Sequence, residues 1–128
     1  RWGVANLGPD VPWHFTAFHP DWKMLDIPPT PATTLTRARE IARRNGVRYA
    51  YTGNVRDEAG QSTYCHKCGT TLIGRDGYDI TAWHLDAAGM CRRCGTPCAG
   101  VFEPRAGDWG SRRQPVRLRH YMEESAAV

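Results

Sequence analysis

The chain has 128 residues, of which 41% are hydrophobic and 23% charged, and a formal net charge of +4. That length limits it to one ordinary domain or two small ones, and the composition excludes both a disordered chain and a membrane-embedded one. With no apolar run near the ~20 residues that cross a bilayer and no secretory h-region, the expected location is the cytoplasm, where clustered cysteines bind metal more often than they pair.

Taken in chain order, Asn6-Leu7-Gly8-Pro9 reads as a helix end, with Gly8 in the left-handed cap position and Pro9 forbidding continuation. Val11 to Phe18 is β-branched and aromatic and predicts a largely buried strand that ends at His19-Pro20. A proline-rich loop leads to Thr30, the expected cap of a helix with Pro31 at its first position. Leu35, Ala38, Ile41 and Ala42 form its apolar stripe, Arg37, Arg39, Arg43 and Arg44 its solvated face, and Gly46 its end. Val47 to Thr52 is the next strand. Strand, helix, strand in this order predicts a parallel crossover unit of an α/β sheet or barrel. Such a unit cannot cover both of its own faces, so it reads as the closing piece of something larger. Arg1, standing where a start methionine would, fits the same expectation.

The second region contains two copies of one cysteine hairpin, Cys65-His66-Lys67-Cys68-Gly69 and Cys91-Arg92-Arg93-Cys94-Gly95, with 22 residues between Cys68 and Cys91. Two thiolates at this spacing can grip one tetrahedral metal ion from a knuckle turn, and the glycine frees the backbone just past the second ligand. Cys65, Cys68, Cys91 and Cys94 are therefore the expected ligands of one Zn²⁺. The alternative for these cysteines is a disulfide or an unliganded thiol set. Thr70 to Arg75 and Tyr78 to Leu85 read as strands joined at Asp76-Gly77, with Ala99 to Phe102 as the third strand of the ribbon. Four thiolates on Zn²⁺ leave a charge of −2, which Lys67, Arg92 and Arg93 are placed to offset. Cys98 is expected in the ribbon core, as are Trp13, Trp22, Trp83 and Trp109 in theirs. His66 and His84 are not needed as ligands.

The segment His14-Phe15-Thr16-Ala17-Phe18-His19-Pro20-Asp21-Trp22-Lys23-Met24, followed by Pro28-Pro29-Thr30-Pro31 and Tyr51-Thr52-Gly53-Asn54-Val55, carries a resemblance. Together with the four-cysteine ribbon and Asp108-Trp109-Gly110, it resembles the C-terminal part of the AmmeMemoRadiSam system radical SAM enzymes, relatives of pyruvate formate-lyase-activating enzymes. The resemblance covers about residues 1–117. It implies a partial β/α barrel, a [4Fe–4S] cluster and S-adenosylmethionine, cleaved reductively to a 5′-deoxyadenosyl radical. It also implies, as partners, the barrel strands that precede residue 1 and a protein substrate.

One departure from the family stands out. Its cluster is held by a C-x3-C-x2-C loop after the first barrel strand, and this sequence contains no such loop. Cys91, Cys94 and Cys98 run in the reverse spacing, and two of them belong to the ribbon. Alone, the chain is not expected to perform the radical chemistry, and no catalytic residue is assigned. His19, at the end of the first strand, takes by resemblance the role of a histidine that contacts S-adenosylmethionine; Asp21 and Lys23 are weaker candidates. Otherwise His19 simply bonds to the local backbone. His14, five positions earlier, is read as structural.

The expected organisation is thus α/β: residues 1–60 as the last part of a radical SAM barrel, 61–104 as a zinc ribbon, and 105–128 as an arginine-rich tail. The alternative is a non-enzymatic zinc-ribbon module that binds nucleic acid or a protein through Arg105, Arg112, Arg113, Arg117 and Arg119. Against nucleic acid stands the even charge: residues 1–64 carry 8 basic and 6 acidic side chains, residues 65–128 carry 9 and 7.

Overall fold

A computed structural model describes residues 1–113; Arg117, Arg119 and the rest of the tail lie outside the described residues. Helix α1 (Trp2–Leu7) ends where expected. Gly8 is at φ 84° and ψ 169°, an extended region that only glycine enters readily, rather than the left-handed helical one. The chain then forms β1 (Trp13–Thr16), α2 (Ala32–Arg44) and β2 (Ala50–Gly53). β1 and β2 pair in parallel, Trp13 opposite Ala50 and Thr16 opposite Gly53, so the crossover unit is present. Among the described residues it is a two-stranded sheet and not a barrel.

Helix α2 covers one face of this sheet. Ala42 packs with Val47 and Ala50, and Val4, Trp13 and Phe15 close the cluster. The helix end is a Schellman motif: Gly46 N–H reaches Arg43 O at 3.0 Å and Val47 N–H reaches Ala42 O at 3.1 Å, with Gly46 at φ 93°. Its start differs from expectation. Pro31 is the N-cap, while Thr30 Oγ1 accepts the Phe18 N–H at 3.0 Å and ties the proline-rich loop to the end of β1. Ile41, placed on the apolar stripe, is 46% exposed. Arg39, placed on the solvated face, is half-buried because its Nε donates to Ala50 O at 2.9 Å and its guanidinium lies over the Tyr64 ring.

Strand β1 is shorter than the run Val11–Phe18, and His14 and Thr16 are exposed. Alternation explains this: Trp13 and Phe15 point at α2, and among the described residues no second helix lies over the opposite side of β1. α3 (Glu58–Gln61) follows, capped by Asp57, whose carboxylate accepts the Gly60 N–H at 2.9 Å. Gly60 is buried, and a Cβ there would stand 2.1 Å from both Asp57 Oδ2 and Thr52 Oγ1. Gly60→Ala is therefore expected to break this cap and cost about 1–3 kcal/mol, read as a lowered thermal midpoint; an unchanged midpoint would contradict the packing described.

The ribbon is a three-stranded antiparallel sheet of β3 (Thr63–Tyr64), β4 (Thr71–Asp76) and β5 (Asp79–Trp83), in that order. The hairpin loop is Gly77-Tyr78, one position later than read, with Gly77 at φ 61°. The third strand lies before the first knuckle, not at Ala99–Phe102. After the second knuckle the N–H groups of Cys98 and Ala99 go to Gly89 O and to the Tyr49 hydroxyl, and Gly100 at φ 145° leaves the extended region. Leu72, Ile73, Leu85, Cys65, Cys91 and Cys98 form the ribbon core together with Tyr49, with Tyr51 packed against it. β2 and the segment just before it thus serve both clusters. Trp83 packs edge-on against Phe102, and Trp13 is half-buried, as core anchors should be. Trp22 and Trp109 are not: they are exposed, stacked under Lys23 and Arg112 respectively.

Candidate metal centre

Each knuckle is built by the same local bonds. Cys65 N–H donates to Thr70 O at 2.8 Å and Gly69 N–H to Cys65 O at 2.9 Å; Cys91 N–H donates to Thr96 O at 2.9 Å and Gly95 N–H to Cys91 O at 2.8 Å. Gly69 and Gly95 stand at φ 72° and 68°, where a side chain would be strained. β4, β5 and the bridge that pairs Leu85 with Cys91 bring the second knuckle back to the first.

The four Sγ atoms all lie within 4.8 Å of one another. Across the knuckles Cys65 and Cys94 are 3.6 Å apart and Cys68 and Cys91 3.8 Å. A tetrahedron of thiolates ~2.3 Å from one zinc ion has edges of ~3.8 Å, so the set fits one ion. It does not fit a [4Fe–4S] cluster, whose cage would hold its cysteine sulfurs much farther apart. None of the five cysteines is in a disulfide, and Cys98 is buried beside Tyr49 as a core residue.

The repeat extends one residue past each glycine, to Thr70 and Thr96. It runs C-x-x-C-G-T in both copies, and the threonines touch sulfur: Thr70 Oγ1 is 3.4 Å from Cys68 Sγ and Thr96 Oγ1 is 3.2 Å from Cys94 Sγ. Their hydroxyls and backbone N–H groups hold the Cys68 thiol down at about 6 and lower that of Cys94, whereas burial pushes the Cys65 thiol up to about 11. The signal was present as the sixth residue of each repeat.

These directions set a pH dependence for metal loading. Near neutrality the metal-free chain holds Cys68 as thiolate and Cys65 as thiol, so an arriving ion must displace the Cys65 proton. Apparent zinc affinity is expected to rise about tenfold per pH unit for each proton released between about pH 6.5 and 8.5. It should fall more steeply below about 6, where Cys68 also protonates. Competition with a chelator across pH measures this; a flat profile would contradict it.

Of the basic residues expected to balance the centre, Arg93 donates to Thr70 Oγ1 at 3.2 Å and so joins the two knuckles. Arg92 turns to Leu85 O at 2.9 Å, and Lys67 is exposed. His66 and His84 lie outside the thiol group; His84 Nδ1 is 2.7 Å from Thr71 O. His19 is exposed in the loop after β1, two residues past Ala17, whose N–H makes the last bond to Gly53 O. Asp21 and Lys23 are engaged locally, Asp21 Oδ1 accepting the Trp22 N–H at 2.7 Å and Lys23 lying over the Trp22 ring.

Over 91 residues the chain is 44% identical to an uncharacterized protein, MJ0808, of Methanocaldococcus jannaschii, an alignment that covers 70% of this chain. The chain spans only 27% of the length of that curated relative. No protein-family model matches the chain. No solved structure matches it either. Among the described residues no helix is long and apolar enough to cross a membrane.

Proposed function

We propose that this chain is a C-terminal portion of a radical S-adenosylmethionine enzyme resembling pyruvate formate-lyase-activating enzymes, carrying one structural zinc in its ribbon. The observation that carries the reading is the parallel crossover. A parallel pair is normally covered on both faces and continued by further strands, yet here α2 covers one face, the ribbon meets the other only at Tyr51 of β2, and β1 has no outer neighbour among the described residues. In a barrel that other face looks inward, and ligands gather at the C-terminal ends of the strands. His19 follows that end of β1 and is assigned to S-adenosylmethionine. The cluster that would supply the 5′-deoxyadenosyl radical belongs to a cysteine loop outside this chain, since none of the chain's own thiols fits it. The expected partners are the rest of that barrel and a protein substrate, in the cytoplasm. Nucleic acid is not expected, because the positive charge is spread evenly along the chain rather than gathered on one element.

Two measurements test this. After anaerobic reconstitution with iron and sulfide, the chain should hold about one zinc and show no cluster absorbance; a stoichiometric [4Fe–4S] cluster would overturn the assignment of the thiols. The genomic sequence upstream of the Arg1 codon should encode C-x3-C-x2-C. A different upstream domain would sink the enzyme reading and leave the zinc site standing.

A further inference from the structure

The face of the β1–β2 sheet turned away from α2 is not featureless. Trp13, Phe15 and Ala50 pack toward Ala42, so strand alternation places His14 and Tyr51 on the other side. There a cleft of about 370 Å³ is lined by His14, Tyr51, Thr52, Gln61 and Arg75. That volume falls within the range of small-molecule sites, ~300–1,000 Å³.

Arg75 is half-buried and oriented. Its Nη1 donates to Thr63 Oγ1 at 2.7 Å and to Gln61 O at 3.2 Å, and its guanidinium lies 5.9 Å from the centre of the Tyr51 ring. Tyr51 is itself positioned, its hydroxyl 2.9 Å from Thr63 Oγ1 and its ring 5.1 Å from that of His14. Yet Arg75 has no carboxylate partner among the described residues. The ion pairs there engage Arg44, Arg48 and Arg56, and the Asp76 carboxylate next along β4 is taken by Arg56. Among the described residues none that lines the cleft is acidic. A guanidinium withdrawn from water without a counterion is costly, and a fixed one is pre-arranged to receive a planar or tetrahedral oxyanion through paired N–H groups.

We propose that this cleft binds the oxyanion group, carboxylate or phosphate, of a small-molecule ligand, with Arg75 as its anion partner and His14 and Tyr51 as flanking contacts. The site lies within this chain and does not depend on the radical S-adenosylmethionine reading. It also changes the role of His14, which the sequence alone assigned to structure.

The test uses the metal-loaded chain, titrated with inorganic phosphate and separately with acetate at constant ionic strength, and followed by NMR of the backbone amides and arginine Nε groups. Saturable shifts centred on His14, Tyr51 and Arg75 are expected with at least one of the two anions; phosphate alone or acetate alone identifies the ligand chemistry. Arg75→Gln should weaken binding at least about tenfold, since a hydrogen bond to a charged group is lost. Because Arg75 also holds Thr63 and Gln61, His14→Ala provides the second arm: its ring is exposed, and it should weaken binding severalfold with the distant amides unmoved. Absence of saturable shifts at the cleft with both anions, or binding undiminished in both variants, overturns the proposal.

Discussion

Cys65→Ser is expected to abolish stoichiometric zinc binding and to unfold the ribbon. Cys65 is almost fully buried, with its sulfur 3.6 Å from that of Cys94, and a serine hydroxyl there would be neither a good zinc ligand nor large enough to fill the site. The ribbon core consists of a few side chains, among which the cysteines themselves are counted. Structural zinc supplies an apparent ~10–16 kcal/mol to small folds of this kind, far more than such a core can lose without unfolding. Metal analysis of the purified variant and circular dichroism with and without chelator read the result. Cys98→Ser is the control: its thiol is buried but outside the group of four, so the variant should keep its zinc. Tight zinc binding by Cys65→Ser, or loss of zinc in Cys98→Ser, would show that the ligand set is wrong.

Leu85→Ala is expected to cost about 2–5 kcal/mol, the usual range for emptying a fully buried leucine site. Leu85 has no exposed surface, pairs with Cys91 across an isolated bridge, and offers its carbonyl to Arg92 of the second knuckle. It therefore links the β-sheet to the four thiols. The cavity should lower the thermal midpoint of the zinc-loaded chain and, through linkage, weaken zinc binding, because the folded ribbon is the form that binds the ion tightly. This differs from the cysteine variant, which should lose the ion outright. A midpoint within a degree or two of the parent protein would mean that the core is not continuous with the knuckles. Tyr49 extends the same core toward β2, accepting the Ala99 N–H at 2.9 Å, so the destabilisation should also be felt by the crossover unit.

The parts of the fold that were legible in the sequence are those made by bonds of short range. The knuckles close between residues four and five apart, the α2 terminus closes over Gly46, and the β4–β5 turn needs a positive φ at Gly77. In each case a glycine or a cysteine spacing names the conformation, because few other residues can adopt it. The parallel pairing of β1 with β2 was legible for another reason, since a strand–helix–strand order leaves little choice of connection. Thr30 was misplaced because two uses of its hydroxyl compete, a helix cap and a loop tie, and the contact with Phe18 lies 12 residues away.

By itself the sequence determined the chemistry of the centre: four thiols in two identical turns, each with a threonine at the sulfur of its second cysteine. Their spacing, their glycines and their local hydrogen bonds are all contained in six-residue stretches. The tertiary structure alone decided which segment became the third ribbon strand, that Tyr49 and Tyr51 bind the ribbon to the crossover unit, and that Arg75 stands beside His14 in an open cleft. These depend on partners brought together from distant parts of the chain. A strand edge or a half-buried charge is satisfied by whatever the fold places against it, and no local pattern records that outcome.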